Sequence, residues 1–298
     1  MTLLVTGASG FVGHYVRRLI GGVPFDDNGK EVDLRDAAHV RSALERIRPE
    51  RVIHLAAQSA VPAAFEHPLE TMEVNFIGTL HLLTALRDTG FRGRMLYIGS
   101  GDVYGVVPEA QLPITEDQPL KPRNPYAVSK VAAEALCYQW SQTEGFEIVL
   151  TRPFNHVGPG QGRRFAVSDF AAQIAEIGQG RREPVLRVGD VDVTRDYTDV
   201  RDVVRAYGLL LEQGRNGEVY NVCSGRERVI RSVIESLFAL AGVRAEIVAE
   251  PQRMRPNEQR RTQASNRKLN QAVGWAPEIP WERTLGDLLA YWKEHAHG

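Results

Sequence analysis

The sequence predicts an α/β fold: a doubly wound parallel sheet with a smaller C-terminal α/β lobe. Three observations lead there. Short apolar runs alternate with amphipathic helical segments over the first two-thirds of the chain. A glycine-spaced turn joins the first apolar run to the first helix. After about Phe154 the texture changes to loops and mixed elements.

In order, Leu3–Thr6 reads as a strand, Phe11–Ile20 and Asp36–Ile47 as helices, and Arg51–Leu55 as the next strand. A helix around Glu70–Asp88 precedes the strand Met95–Ile98, and the long helix Tyr126–Thr143 precedes the strand Glu147–Arg152. The strands are short apolar runs bounded by turn residues. The helices repeat apolar residues at three- and four-residue spacing. Gly158-Pro159-Gly160 opens the second part as a loop. It continues with a helix at Ser168–Gln179, a strand at Val185–Val188 and a helix at Asp199–Glu212. Strand Glu218–Val222, helix Val229–Leu240, strand Ala245–Ala249, a basic loop at Gln252–Thr262 and the helix Trp281–His295 complete it.

Composition narrows the function classes. Of 298 residues, 43% are hydrophobic and 24% charged, enough to bury a large core. A net charge of −1 speaks against a nucleic-acid or acidic-membrane partner. Two cysteines without CxxC spacing and eight scattered histidines give no metal-site pattern, so no metal is expected. The thiols suit a reducing cytoplasm, and neither a leader-like segment nor a bilayer-spanning apolar run is evident.

Thr6-Gly7-Ala8-Ser9-Gly10-Phe11-Val12-Gly13 lies between the first strand and the first helix. Gly7 suits the tight turn, Gly10 lets backbone approach a pyrophosphate, and Gly13 allows close helix–strand packing. The spacing is GxxGxxG rather than GxGxxG. A Rossmann-type dinucleotide-binding domain over residues 1–154, with 190–222 returning to the sheet, is therefore expected. Residues 155–189 and 223–298 would form the second lobe. The cofactor is NADP or NAD: Asp26, Asp27 and Glu31 in the short stretch Val23–Val32 are all candidates for ribose recognition, and all three suit a plain loop. Asp33-Leu34 could contact adenine, unless Asp33 or Asp36 caps the next helix.

Tyr126 and Lys130 stand four residues apart, on one helix face. A neighbouring ammonium and a nicotinamide cation favour the phenolate, which would tune Tyr126 for proton exchange. Ser100 falls at the carboxyl edge of the sheet and could hydrogen-bond a substrate carbonyl. Asp102 is either a second acid–base group or a turn residue beside Gly101.

These elements, in this order, resemble the extended short-chain dehydrogenase/reductase family over nearly the whole chain. The likeness runs through Thr6–Gly13, His54-Leu55-Ala56-Ala57, Asn75-Phe76-Ile77-Gly78-Thr79, Ser100–Gly105, Asn124-Pro125-Tyr126, Lys130 and Arg152-Pro153-Phe154-Asn155. It implies that Leu55, Ala56 and Ala57 lie along the cofactor and that Asn155 meets a sugar nucleotide. Asn75 would position a helix. Phe154-Asn155-His156, Gly158–Gln161, Val193–Asp202, Tyr220–Gly225 and Met254–Glu258 resemble the GDP-deoxyhexose enzymes within that family. Arg195 and Arg255 could then grip a diphosphate with forked hydrogen bonds, and Glu258 could accept from ribose hydroxyls; surface ion pairs are the alternative.

The resemblance implies reduction by NAD(P)H of the C4 ketone of a GDP-4-keto-6-deoxy-mannose, giving GDP-D-rhamnose. Catalysis would use Ser100, Tyr126 and Lys130, with Gly101 against the substrate. A homodimer paired through the two long helices is expected by the same resemblance. The alternatives are a 4,6-dehydratase or 4-epimerase, and a scaffold that binds dinucleotide without chemistry. The dehydratase pattern carries Thr at position 100 and Glu at 102, where this chain has Ser100 and Asp102.

Overall fold

The computed structural model describes residues 2–253 and 259–295. From the amino end the chain runs β1 (Leu3–Thr6), α1 (Phe11–Leu19), β2 (Val23–Pro24), the hairpin β3 (Asp26–Asp27) and β4 (Lys30–Glu31), and α2 (Ala37–Ile47). It continues with β5 (Arg51–His54), α3 (Val61–Glu66), α4 (Pro68–Met72), a π-helical turn (Glu73–Ile77), α5 (Gly78–Asp88) and β6 (Arg94–Ile98). A 3₁₀ turn (Gly101–Tyr104) leads towards α6 (Pro125–Thr143), β7 (Glu147–Pro153), β8 (Asn155–Val157), α7 (Ala166–Gly178), β9 (Val185–Val188) and β10 (Thr194–Asp199). Then come α8 (Val200–Gln213), β11 (Val219–Val222), β12 (Glu227–Val229), α9 (Ile230–Ala241), β13 (Glu246–Ala249), α10 (Arg267–Val273) and α11 (Trp281–His295).

Six parallel strands form the large sheet in the order β11-β7-β6-β5-β1-β2. Alternate side chains feed opposite cores, as the pleat requires. Leu4, Val52, Met95, Tyr97, Ile148 and Leu150 join the core beneath α2, α5 and α6. Val5, Ile53, Leu96, Ile98 and Val149 join the core beneath α1 and α8. The smaller sheets are β12-β10-β8 and β13-β9, with a third core shared by α7, α9 and α11.

The doubly wound parallel sheet and the smaller lobe stand as the sequence predicts, with local differences. The helix expected around Glu70–Asp88 is α4 and α5 joined by the π-helical turn. β10, within the 190–222 stretch expected on the large sheet, pairs instead with β8 and β12, while α8 packs under the large sheet and β11 edges it. Leu269 and Trp275, in the stretch expected in the smaller lobe, are buried in the core beneath α8. The hairpin β3–β4, α3, β8, β12 and α10 are too short for periodicity to announce.

Candidate active site

Strand order reverses at β1, so a crevice opens between the carboxyl ends of β1 and β5. Gly7 turns the chain there with φ +67°, and a Cβ on it would stand 2.8 Å from Ala56 N. A Cβ on Gly13 would fall 2.2 Å from Gly7 O, so only glycine lets α1 begin against the loop. Gly10 is the N-cap of α1 and leaves the first-turn amides facing the crevice. Ala56 N–H donates to Thr6 Oγ1 at 3.1 Å, which runs Leu55, Ala56 and Ala57 alongside the loop. Phe11 stacks on His156 with ring centroids 6.1 Å apart, and Val12 follows on the same turn. A backbone cradle that a Cβ would fill, edged by helix-terminal amides, fits a dinucleotide pyrophosphate.

At the ribose side, Ser9 N–H donates to Glu31 Oε1 at 2.9 Å. Asp33 is tied to Arg35, whose hydrogen bonds hold its carboxyl below the usual range. Asp36 is the cap of α2, accepting from His39 N. Leu34 is buried in the core and packs against Gly78 of α5. Its carbonyl meets His81 Nδ1 at 2.9 Å.

Ser100 sits two residues beyond β6 and caps the 3₁₀ turn, its Oγ accepting from Asp102 N at 3.1 Å. With that bond accepted, its proton is free to be donated, and it shares a hydrogen bond with the Tyr126 phenol. Burial pushes the Tyr126 phenol well above its ordinary value, and the nearby Asp102 carboxylate adds to the effect. Desolvation, not Lys130, sets this direction for the Tyr126 phenol. Lys130 is itself buried, its Nζ 5.9 Å from the Tyr126 ring centroid and donating to Ile98 O at 2.8 Å. Burial brings its ammonium down to about 8. Gly101 lies under the Phe154 ring, 3.1 Å from where its Cβ would be.

Two further groups hold this constellation. Asn75, on the π-helical turn, accepts from Gln58 N at 2.8 Å and donates to Gln58 O at 3.0 Å and Ser129 Oγ at 2.8 Å. Ser129 in turn donates to Tyr126 O at 2.7 Å. His54 spans Thr6 Oγ1 at 2.7 Å and Thr79 Oγ1 at 2.9 Å, and Thr79 donates its single hydroxyl proton to Asn75 O at 2.6 Å. Thr79 must therefore accept from His54, which places the ring proton on Nε2. Hydrogen bonds thus run from the glycine loop to α6. Beneath Ser100, Arg152 forks onto Glu134, with Nε–Oε2 at 2.9 Å and Nη2–Oε1 at 2.6 Å.

In the smaller lobe, Asn155 is exposed at the start of β8. Arg195 donates to Thr194 O at 2.6 Å and Gln259 O at 2.9 Å. Arg255 and Glu258 lie outside the described residues. His54, Thr79 and Arg152 lie within the stretches that carry the resemblance but had no role assigned to them, and Ser129 and Glu134 were not singled out, because the partners that matter are distant in sequence. Among the described residues there is no group of three side chains able to hold a metal ion, and no helix is long and apolar enough to cross a membrane.

A phenol, a hydroxyl and an ammonium gathered at the carboxyl edge of a Rossmann-type sheet, beside a glycine cradle, define an extended short-chain dehydrogenase/reductase. Comparison narrows the class. The family model for GDP-mannose 4,6 dehydratase matches residues 28–288, and the chain belongs to that family. GDP-6-deoxy-D-mannose reductase of Pseudomonas aeruginosa is 47% identical over 98% of this chain and 97% of the relative. The solved structure of RMD from Pseudomonas aeruginosa complexed with NADPH superposes with a TM-score of 0.93, 46% identity, and coverage of 99% and 100% of the two chains. UDP-glucose 4-epimerase of Thermus thermophilus, solved with NAD, reaches a TM-score of 0.85 at 30% identity, covering 98% and 99%.

Proposed function

We propose that this protein reduces the C4 ketone of GDP-4-keto-6-deoxy-D-mannose to GDP-D-rhamnose, with NADPH or NADH as reductant. One observation carries the reading: a phenol held protonated by burial, hydrogen-bonded to Ser100, in a chain 47% identical to a GDP-6-deoxy-D-mannose reductase.

The bound nicotinamide would supply the hydride. Gly7, Gly10, Phe11, Val12 and Gly13 would hold its pyrophosphate, with Leu55–Ala57 along the other wall. Ser100 donates to the ketone oxygen and fixes its direction. Tyr126 gives its proton to O4 as that oxygen becomes an alcohol. Lys130 stabilises the phenolate left behind, since an ammonium favours the charged form; its other N–H groups would reach the nicotinamide ribose. Asp102 keeps the phenol protonated beforehand. Asn155, Arg195, Arg255 and Glu258 would receive the GDP moiety. The setting proposed is the cytoplasm, as a homodimer. Support for pairing comes from the helical face around α3, α4 and α6, where Phe65 is 61% exposed, Leu69 71% and Val128 45%.

The test is incubation with GDP-, UDP- and dTDP-linked 4-ketosugars and each reduced cofactor. Stoichiometric cofactor oxidation with the GDP ketosugar is the expected outcome. Turnover without net oxidation would mean a dehydratase or epimerase instead. Tyr126→Phe should lose about 10²–10⁴-fold in kcat with near-normal cofactor affinity. An inert scaffold would show no turnover to lose.

A further inference from the structure

The short hairpin β3–β4 turns through Asn28 and Gly29, with φ of 52° and 82°, the left-handed pair that a two-residue hairpin needs. It returns Glu31 to the glycine loop, where its carboxylate takes the Ser9 amide proton at 2.9 Å. In a Rossmann half, the adenosine ribose lies between that loop and the segment after the second strand. An acid roughly 20 residues past the glycines accepts from a 2′-hydroxyl, whereas a cation is needed for a 2′-phosphate. Glu31 occupies that place and has already taken the loop amide a phosphate would use.

The surrounding charges point the same way. Asp26 is the cross-strand partner of Glu31. Arg46 is committed to Asp27 at 3.2 Å and to Asp26 O at 2.9 Å, and His39 lies 3.5 Å from Asp27. Arg35 is forked onto Asp33. Lys30 is exposed on β4, as the cross-strand partner of Asp27.

We infer that Glu31 selects the adenosine ribose: it accepts the 2′-hydroxyl of NADH and repels the 2′-phosphate of NADPH, so this enzyme works with NADH. The inference rests on the dinucleotide-binding part of the proposed function. It sets this chain apart from the Pseudomonas aeruginosa relative, which was solved with NADPH.

The test is titration of the full-length protein with NADH and NADPH, without sugar substrate, followed by tryptophan fluorescence. NADH is expected to bind about tenfold or more tightly than NADPH at low ionic strength. That ratio should shrink with added salt in the wild type. Glu31→Gln should narrow it to about threefold or less, chiefly by tightening NADPH. Equal or tighter NADPH binding in the wild type overturns the inference. So does an unchanged ratio in Glu31→Gln, or a collapse of NADPH affinity in Lys30→Ala, which would show the phosphate held by Lys30. NADPH preference together with ketosugar reduction sinks this inference alone. NADH binding with no reduction of any ketosugar sinks the proposed reaction alone.

Discussion

Replacing Glu134 by Gln should cost about 3–5 kcal/mol of stability, because it strands a buried cation. Arg152 is 5% exposed and Glu134 7%, and the two meet through paired hydrogen bonds at 2.9 and 2.6 Å. The guanidinium keeps its bonds from Nη1 to Tyr104 OH at 2.8 Å and Glu116 O at 3.1 Å. Those partners carry no charge, and arginine cannot shed its proton. A glutamine retains one acceptor for the fork but turns an NH₂ group against guanidinium N–H groups. Urea unfolding followed by tryptophan fluorescence measures the loss as a shift in midpoint at constant slope. The double variant Glu134→Leu/Arg152→Met should recover most of it, since removing both charges also removes their desolvation cost. A single variant losing less than about 1 kcal/mol, or two losses that simply add in the double, would refute this account of the pair. The same variant should lower kcat. Gly99 packs against Thr151 O, and the Glu134 carboxylate lies 3.6 Å from where its Cβ would be, so Ser100 takes its position from this ground.

Two predictions concern protons. Burial brings the Lys130 ammonium from 10.5 to about 8. The charged form persists below that value, so kcat should fall on the alkaline side above about pH 8, a limb that a pH–rate profile of Lys130→Met should lack. Burial holds His54 at about 3, below the ordinary 6.5, so the folded ring stays neutral while the unfolded ring takes up a proton. Stability from this residue is present above about pH 6.5 and is lost as pH falls towards 3, at most about 5 kcal/mol in all. Denaturant titrations between about pH 4 and 6.5 should show a shallower loss in His54→Gln.

What the sequence made legible was chemistry with fixed local spacing. The glycines must recur as they do because Gly13 has no room for a Cβ beside Gly7 O, and Tyr126 and Lys130 share a face because they are one turn apart. The parallel sheet was legible in the alternation of apolar runs with amphipathic helical segments, while its strand order came only with the structure. What stayed hidden depends on partners brought together only by folding. Thr6 and His54 are 48 residues apart, and Asn75 and Ser129 are 54. The hairpin strands that deliver Glu31 are two residues each, too short for any period to show. Leu34 belongs to the core for a reason no local pattern carries: Gly78 on α5 leaves it the space.

The direction in which burial moves the Tyr126 phenol bears on which reaction the site favours. A reduction begins with a neutral reduced nicotinamide and needs a phenol that still holds its proton. Dehydration and epimerisation begin by oxidising the sugar, and need a base in that position first. Burial and the Asp102 carboxylate both stabilise the protonated phenol here, while the Ser100 hydroxyl bond opposes them more weakly. Oxidised cofactor would bring a positive ring charge close to Tyr126 and favour phenolate, so the resting balance departs from the proton donor's state only after the ketone has been reduced. Exchanging Asp102 for Asn should therefore make the phenol more acidic. An unchanged apparent pKa for Tyr126, followed by ultraviolet difference titration of the phenol against a Tyr126→Phe reference, would remove the electrostatic reason for preferring the reductive direction.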